Sequence, residues 1–290
     1  MGYVLVPIVP RDGEGRSVLN LSKKEVTLAV DGRPVALDLF DRVINAPVSF
    51  TILLDLSGSM GLGGKLEGAR GAIDDLLAAR QKGDDFALYT FSAGEVREVV
   101  PFTSDASKLQ RTLREITPYG KTAFFDALAR MPDKTLIGKN GSRAIIVFTD
   151  GFDNASSMSR SDLTAILEGI DVPVYPVGLR AKPKSAENSS AEYQDASQDV
   201  EILREIAKVT GGRSAFADSP EELKKAIAEI IKELRFQYLL GFKPTGRGRN
   251  QYRKISVELP RRVRSVHVRR GYRGTEPPLQ TRSRSREGRG

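Results

Sequence analysis

The chain has no cysteine, no tryptophan and a single histidine, His267, in 290 residues. Disulfides, thiolate nucleophiles and Cys/His zinc sites are therefore excluded, and a Ser-His-Asp triad is disfavoured. Any metal site has to be built from oxygen ligands, which selects hard cations such as Mg2+, Mn2+ or Ca2+. No apolar run approaches the ~20 residues that cross a bilayer. The start, Met1 to Pro7, has neither a basic stretch nor a long apolar one, so no secretory signal is read there.

What is present is ordinary globular material. The chain is 40% hydrophobic and 28% charged, enough for a core, and its length suits one large domain or two smaller ones. The net charge of +8 is local. Residues 261–290 hold ten arginines and two glutamates, which accounts for all of it, and the rest of the chain is neutral. Residues 274–290 are rich in Pro, Gly, Ser and Arg and are expected to be a disordered basic tail. Such a tail could bind nucleic acid or an anionic surface through salt-dependent contacts. No aromatic residue follows Tyr272 among the arginines, so a solvated tail is the favoured reading.

Hydrophobic patterning divides the chain into three stretches. Residues 3–45 read as short strands, with Asp31-Gly32 as a hairpin turn. Val48 to Leu54 is a near-continuous apolar run, as expected of a buried central strand, and Arg143 to Thr149 is a second. Between and after them, helical stretches (66–80, 105–116, 122–131, 200–209, 220–236) alternate with strands at 86–91, 96–102, 172–177 and 214–217. Ser161-Asp162-Leu163 starts a further helix. Residues 181–199 are polar and aperiodic, and are expected to be a mobile loop. Short strands return after 237, ending with Val263 to Arg270, in which His267 is expected to face solvent. The predicted architecture is α/β, a doubly wound, mostly parallel sheet with helices on both faces. A small β-rich module is expected to form from the N- and C-terminal segments. The boundaries are 1–46 for the N-terminal strands, 47–236 for the α/β domain, 237–273 for the C-terminal strands and 274–290 for the tail.

The informative segment is Asp55-Leu56-Ser57-Gly58-Ser59, directly after the first buried strand. Alternate residues of an extended stretch point the same way, so Asp55, Ser57 and Ser59 can converge. Sites in open parallel sheets form at the carboxyl ends of strands. Asp150 has the same context after the second buried strand, and Gly120-Lys121-Thr122 leads into a helix with a third hydroxyl. Two carboxylates and three hydroxyls suit an octahedral Mg2+ that keeps some waters. They leave little excess negative charge, so an open position can take a carboxylate from outside.

At these residues the chain resembles the von Willebrand factor type A domain, whose metal-ion-dependent adhesion site is written Asp-x-Ser-x-Ser with a distant Thr and a distant Asp. The matching residues are Asp55, Ser57, Ser59, Thr122 and Asp150, in that order. The resemblance covers residues 47–236 and implies a Rossmann-like fold. It implies that Ser57, Ser59 and Thr122 bind the metal directly, with Asp55 and Asp150 acting mostly through bound water. The flanks are similar to bacterial "VWFA-related" proteins, in Arg11-Asp12-Gly13, Leu21 to Val26, Asp31 to Pro34, Thr210 to Arg213, Tyr238 to Phe242, Tyr252 to Ile255 and Arg269 to Tyr272. Proteins of that family are usually exported and have no established enzymatic activity. The implied cofactor is Mg2+ or Mn2+, with Ca2+ less favoured. Lys121 stands where the family more often has Gly; a cation there would either weaken metal binding or help hold an acidic ligand.

The expected function is thus a non-enzymatic, metal-dependent binding module whose partner is a protein presenting Asp or Glu. Candidate partner-binding residues are Met60, Gly61, Lys121, Gly151 and Asp153. Asp126 reads as a first-turn helix acid favoured by the dipole. An alternative is a Mg2+-dependent phosphoryl-transfer or hydrolytic enzyme beginning from Asp55. Haloacid-dehalogenase-type sites need a second acid two residues on, where this chain has Ser57, and nothing marks an activated nucleophile.

Overall fold

The computed structural model describes residues 3–14, 16–150, 153–179, 190–244 and 251–273, with backbone alone for 190–199. Gly151, residues 181–189 of the expected loop and the basic tail lie outside the described residues. In chain order, the amino-terminal strands are β1 (Val4–Arg11), β2 (Thr27–Val30), β3 (Arg33–Val35) and β4 (Leu39–Ile44). The α/β part runs β5 (Val48–Asp55), α1 (Lys65–Ala78), β6 (Asp85–Ser92), β7 (Glu95–Thr103), α2 (Ala106–Glu115), α3 (Phe124–Ala129), α4 (Met131–Thr135) and β8 (Ser142–Thr149). It continues with α5 (Arg160–Leu167), β9 (Val174–Leu179), α6 (Ser190–Thr210), β10 (Ala215–Ala217) and α7 (Pro220–Arg235). The closing strands are β11 (Phe236–Phe242), β12 (Tyr252–Glu258), β13 (Ser265–His267) and β14 (Gly271–Arg273).

The central sheet has the order β10-β9-β8-β5-β6-β7 and is parallel except for β7. Every residue of β5 is buried, which explains its lack of alternation: both its faces are covered. Phe50, Ile52 and Leu54 pack with α1, α2 and α7 on one face. Leu53 points the other way, into a core built with α3, α5 and α6. Thr51 shares that second face and accepts a hydrogen bond from Thr135 of α4 at 2.8 Å. The period-2 geometry of one strand thus feeds two cores.

The chain ends form two further antiparallel sheets, β13-β1-β11-β4 and β14-β12-β2-β3. Their shared core includes Val6, Ile8, Leu28, Tyr238, Leu240 and Tyr272. The β2–β3 hairpin turns through Asp31 and Gly32 at φ of 50° and 76°, the left-handed pair that such turns require. The helix α7 runs straight into β11 with no intervening residue. A buried ion pair fixes this junction. Arg235, the last residue of α7, donates to both carboxylate oxygens of Asp84, at 2.9 and 2.5 Å, and to the carbonyl of Ala46 at 3.1 Å. Among the described residues no helix is long and apolar enough to cross a membrane.

Several expectations are corrected. α6 begins at Ser190, so the last part of the expected loop is helical. The expected helix 122–131 is two: α3 ends at Ala129, and α4 restarts with Pro132 in its first turn. Proline has no N–H to continue the ladder. β4 falls within the 3–45 region expected to form short strands, although it has no clean alternation to mark its own bounds. Of the strand expected over 263–270, only Ser265–His267 pairs. His267 is only partly exposed and turns toward α7. Its Nδ1 lies 3.0 Å from the fully buried carboxylate of Glu233 on α7, which Arg11 and Arg213 also approach, at 2.7 and 3.2 Å.

Candidate metal-binding site at the sheet top

β5 and β8 are parallel neighbours in register, Leu54 beside Phe148, so their carboxyl ends emerge together. Asp55 closes β5 and Asp150 follows β8. Between β5 and β8 the connectivity reverses, β5 leading to β6 on one side and β8 to β9 on the other, which is where an open α/β sheet leaves a crevice.

Asp55 is fully buried. Its Oδ1 accepts from the Ser57 amide at 2.8 Å, and its Oδ2 accepts from the Thr149 hydroxyl at 2.7 Å. Burial pushes its carboxyl up to about 6; the neighbouring Asp150 charge adds to this, and the two hydrogen bonds oppose it. The turn that Asp55 anchors brings Ser57 and Ser59 together, with their hydroxyls 3.1 Å apart. Ser57 is buried and Ser59 half-buried at the lip.

The third segment is locked to this turn. Gly58 donates its amide to the Gly120 carbonyl at 3.0 Å, and Tyr119 donates its amide to Leu56 at 2.6 Å. Gly120 has φ +73°, and a Cβ there would lie 2.8 Å from that of Ala93, so only glycine fits this bend. Two residues on, Thr122 is buried and held from both sides by Asn154. Its amide donates to Asn154 Oδ1 at 3.0 Å, and its carbonyl accepts from the Asn154 amide at 3.0 Å.

Asp150 supplies the second carboxylate. Its Oδ2 accepts from Lys65 Nζ at 2.9 Å, and its Oδ1 is buried with no hydrogen-bond partner among the described residues. Among the described residues no three His, Cys, Asp or Glu side chains gather as a metal cluster. The donor set here is of another kind: two carboxylates and three hydroxyls, all oxygen, suited to a hard divalent cation.

The proposed partner-facing residues fare unevenly. Gly61 and Lys121 are exposed. Met60 is fully buried in the α1-side core, so its side chain presents nothing to a partner. Asp153 spends its carboxylate inside the loop, accepting from Phe125 N, Ser156 N, Ser156 Oγ and Ala155 N at 2.9, 3.0, 2.6 and 3.3 Å. Asp126 does the reciprocal job, taking the amides of Ser157 and Met158. Gly151 lies outside the described residues. Sequence reading missed Lys65, Thr149 and Asn154. Thr149 had a signal, a hydroxyl adjacent to the strand-end acid. Lys65 and Asn154 had none.

Comparison with known proteins gives a consistent picture. Residues 50–152 match the model of the von Willebrand factor type A domain. An uncharacterized protein of Borreliella burgdorferi is 26% identical over 209 residues, covering 66% of this chain and 60% of that protein. The chain therefore spans less than two thirds of that relative's length. A von Willebrand factor type A structure from Catenulispora acidiphila is similar with TM-score 0.52 at 12% identity, over 93% of this chain and 72% of that one. The pilus adhesin SpaC from Lactobacillus rhamnosus GG is similar with TM-score 0.52 at 11% identity, over 80% and 44%. At these identities the structures speak to fold alone.

Proposed function

This chain carries a von Willebrand factor type A domain, and from that premise we propose that it is a non-enzymatic protein-binding module whose sheet-top site takes Mg2+ or Mn2+ and a partner's carboxylate. Ser57, Ser59 and Thr122 would hold the ion, with Asp55 and Asp150 behind them. Bound there, the metal supplies a Lewis-acidic position that an Asp or Glu from a partner completes.

The single observation that carries the reading is the Asp150 Oδ1 atom, a buried acceptor without a hydrogen-bond partner among the described residues, at the same end of the sheet as the paired Ser57 and Ser59 hydroxyls. A buried carboxylate oxygen left unpaired is costly, and a cation in the site relieves that cost. The local charge points the same way. With only two carboxylates behind it, a divalent ion retains attraction for a third. Gly61 and Lys121 leave the rim open and cationic for an acidic ligand. That a pilus adhesin shares the fold is in keeping with a role in protein interaction.

The enzymatic alternative finds no support in the geometry. Both Asp55 oxygens are engaged by Ser57 and Thr149, which restrains them from in-line attack. The histidine is committed to Glu233 in the terminal sheets.

The test is calorimetric titration of Mn2+ and Mg2+ into EDTA-stripped protein, wild type beside Asp55→Ala. One-site binding lost in the variant is expected. Equal binding by both would place the metal elsewhere and sink the reading.

A further inference from the structure

Lys65 has a position that no motif foretells. It is the first residue of α1, after the glycine-rich turn Gly61-Leu62-Gly63-Gly64. A cation at a helix N-terminus opposes the helix dipole, so this is an unfavourable place for lysine unless something compensates. The compensation is Asp150. The Lys65 ammonium reaches back across the sheet top to Asp150 Oδ2 at 2.9 Å, with side-chain exposures of only 14% and 7%. Lys65 therefore neutralises the one carboxylate of the site that is not fully tied up by hydroxyl and amide donors.

Resting on the metal reading above, the geometry points to Lys65 as a built-in cation that holds the metal-free site and opposes metal entry. Two cations drawn to one carboxylate repel each other. Binding of a divalent ion at Asp150 is thus weakened by the resident ammonium, and occupancy of the site and the Lys65–Asp150 pair work against each other. The displaced side chain has somewhere to go. Lys65 also lines a groove of about 350 Å³ between α1 and the start of α7, whose walls include Asp75, Asp218 and Ser219. Although much of that groove is apolar, the carboxylates of Asp75 and Asp218 on its walls offer a displaced ammonium new counter-ions.

This makes the metal affinity a tuned quantity. A partner's carboxylate, arriving with the metal, adds the attraction that the lysine subtracts. The site would then fill firmly only when metal and partner are present together.

The test uses Mn2+ alone as probe, titrated calorimetrically into EDTA-stripped wild type, Lys65→Met, Lys65→Gln and Lys65→Arg. Melting temperatures are read in parallel without metal. Met and Gln keep the helix-forming stem and remove the charge. The expected result is Mn2+ affinity tightened by about tenfold or more in the Met and Gln variants, unchanged in Arg, with a lower metal-free melting temperature in Met and Gln. Binding seen only in the neutral variants, with wild type silent, supports the inference equally. Equal affinity in all four proteins overturns it while leaving the metal site standing. Weaker binding in Met and Gln also overturns it, and makes Lys65 a positioning residue for Asp150. No binding in any protein removes the metal reading itself, and this inference with it.

Discussion

Replacing Asp84 by Asn tests the joint between α7 and the terminal sheets. Asp84 is nearly fully buried, and its two oxygens take four donors: both Nη atoms of Arg235 and the amides of Val48 and Gln81. Asn keeps the shape and one acceptor, but it turns an NH2 group toward donors and leaves Arg235, also buried, without its counter-ion. Breaking a buried pair from one side costs about 3–5 kcal/mol. The poor donor–donor contact puts Asp84→Asn toward the upper end of that range. The pH dependence gives a second handle. Burial alone would raise the Asp84 carboxyl; the Arg235 bond and the two amides outweigh it, so the folded-state value lies below the ordinary one. A depressed carboxyl contributes stability above its unfolded value, about 3.9, and that stability is lost as pH falls through the folded value. The gap between wild type and Asp84→Asn should therefore be full at neutral pH and close progressively below about pH 4, as Asp84 protonates first in the unfolded chain and then, at its lower value, in the folded one. Urea unfolding across that range measures it. Adding Arg235→Met to Asp84→Asn should recover part of the loss, since no orphan cation remains. A gap under about 1 kcal/mol at neutral pH, or one that stays constant into acid, would refute the argument.

Two further predictions concern the sheet top. Gly120→Ala should destabilise the fold by about 1–3 kcal/mol and weaken Mn2+ binding, because the left-handed bend and the Ala93 contact must both give; unfolding and titration together read it. Asp55→Asn should stabilise the EDTA-treated protein at neutral pH by about 1–3 kcal/mol, because it removes a carboxylate whose burial is disfavoured, and it should abolish stabilisation by added Mn2+; a variant less stable than wild type would contradict this.

How much of this was legible beforehand depends on the reach of each interaction. The buried runs 48–54 and 143–149 announced β5 and β8, since a strand covered on both faces needs no polar alternation. Asp55, Ser57 and Ser59 were legible because they sit within five residues on one turn. Asp150 and Thr122 were reachable only through strand context and the family resemblance. Lys65 was not reachable at all: its partner is 85 residues away, and a lysine opening a helix looks like solvent-facing surface. His267 failed for the same reason, because alternation along β13 says nothing of Glu233 packed across from it. β4 was legible only as part of the 3–45 strand region, its own bounds blurred by its composition. An edge strand with Asp41 and Arg42 exposed carries no period for a core to impose.

The pairing of the two chain ends has a consequence for how the protein is made. Val6 lies opposite Leu240, Leu28 opposite Val257 and Phe40 opposite Leu240 on its other side. Of the amino-terminal strands, only β2 and β3 find each other locally; the rest wait for segments synthesised after the whole α/β part. At about 5–20 residues per second, that interval is roughly ten to fifty seconds on a ribosome. The α/β core can close on itself meanwhile, since its sheet uses only β5 to β10. During that time β1 travels as a bare apolar edge, Val6 and Ile8 included, able to pair with a neighbouring nascent chain. Synthesis of β11 ends the exposure, because α7 delivers that strand beside β1 without slack. The same linkerless junction that ties the α/β domain to the terminal sheets in the finished molecule is thus also the timer of its assembly.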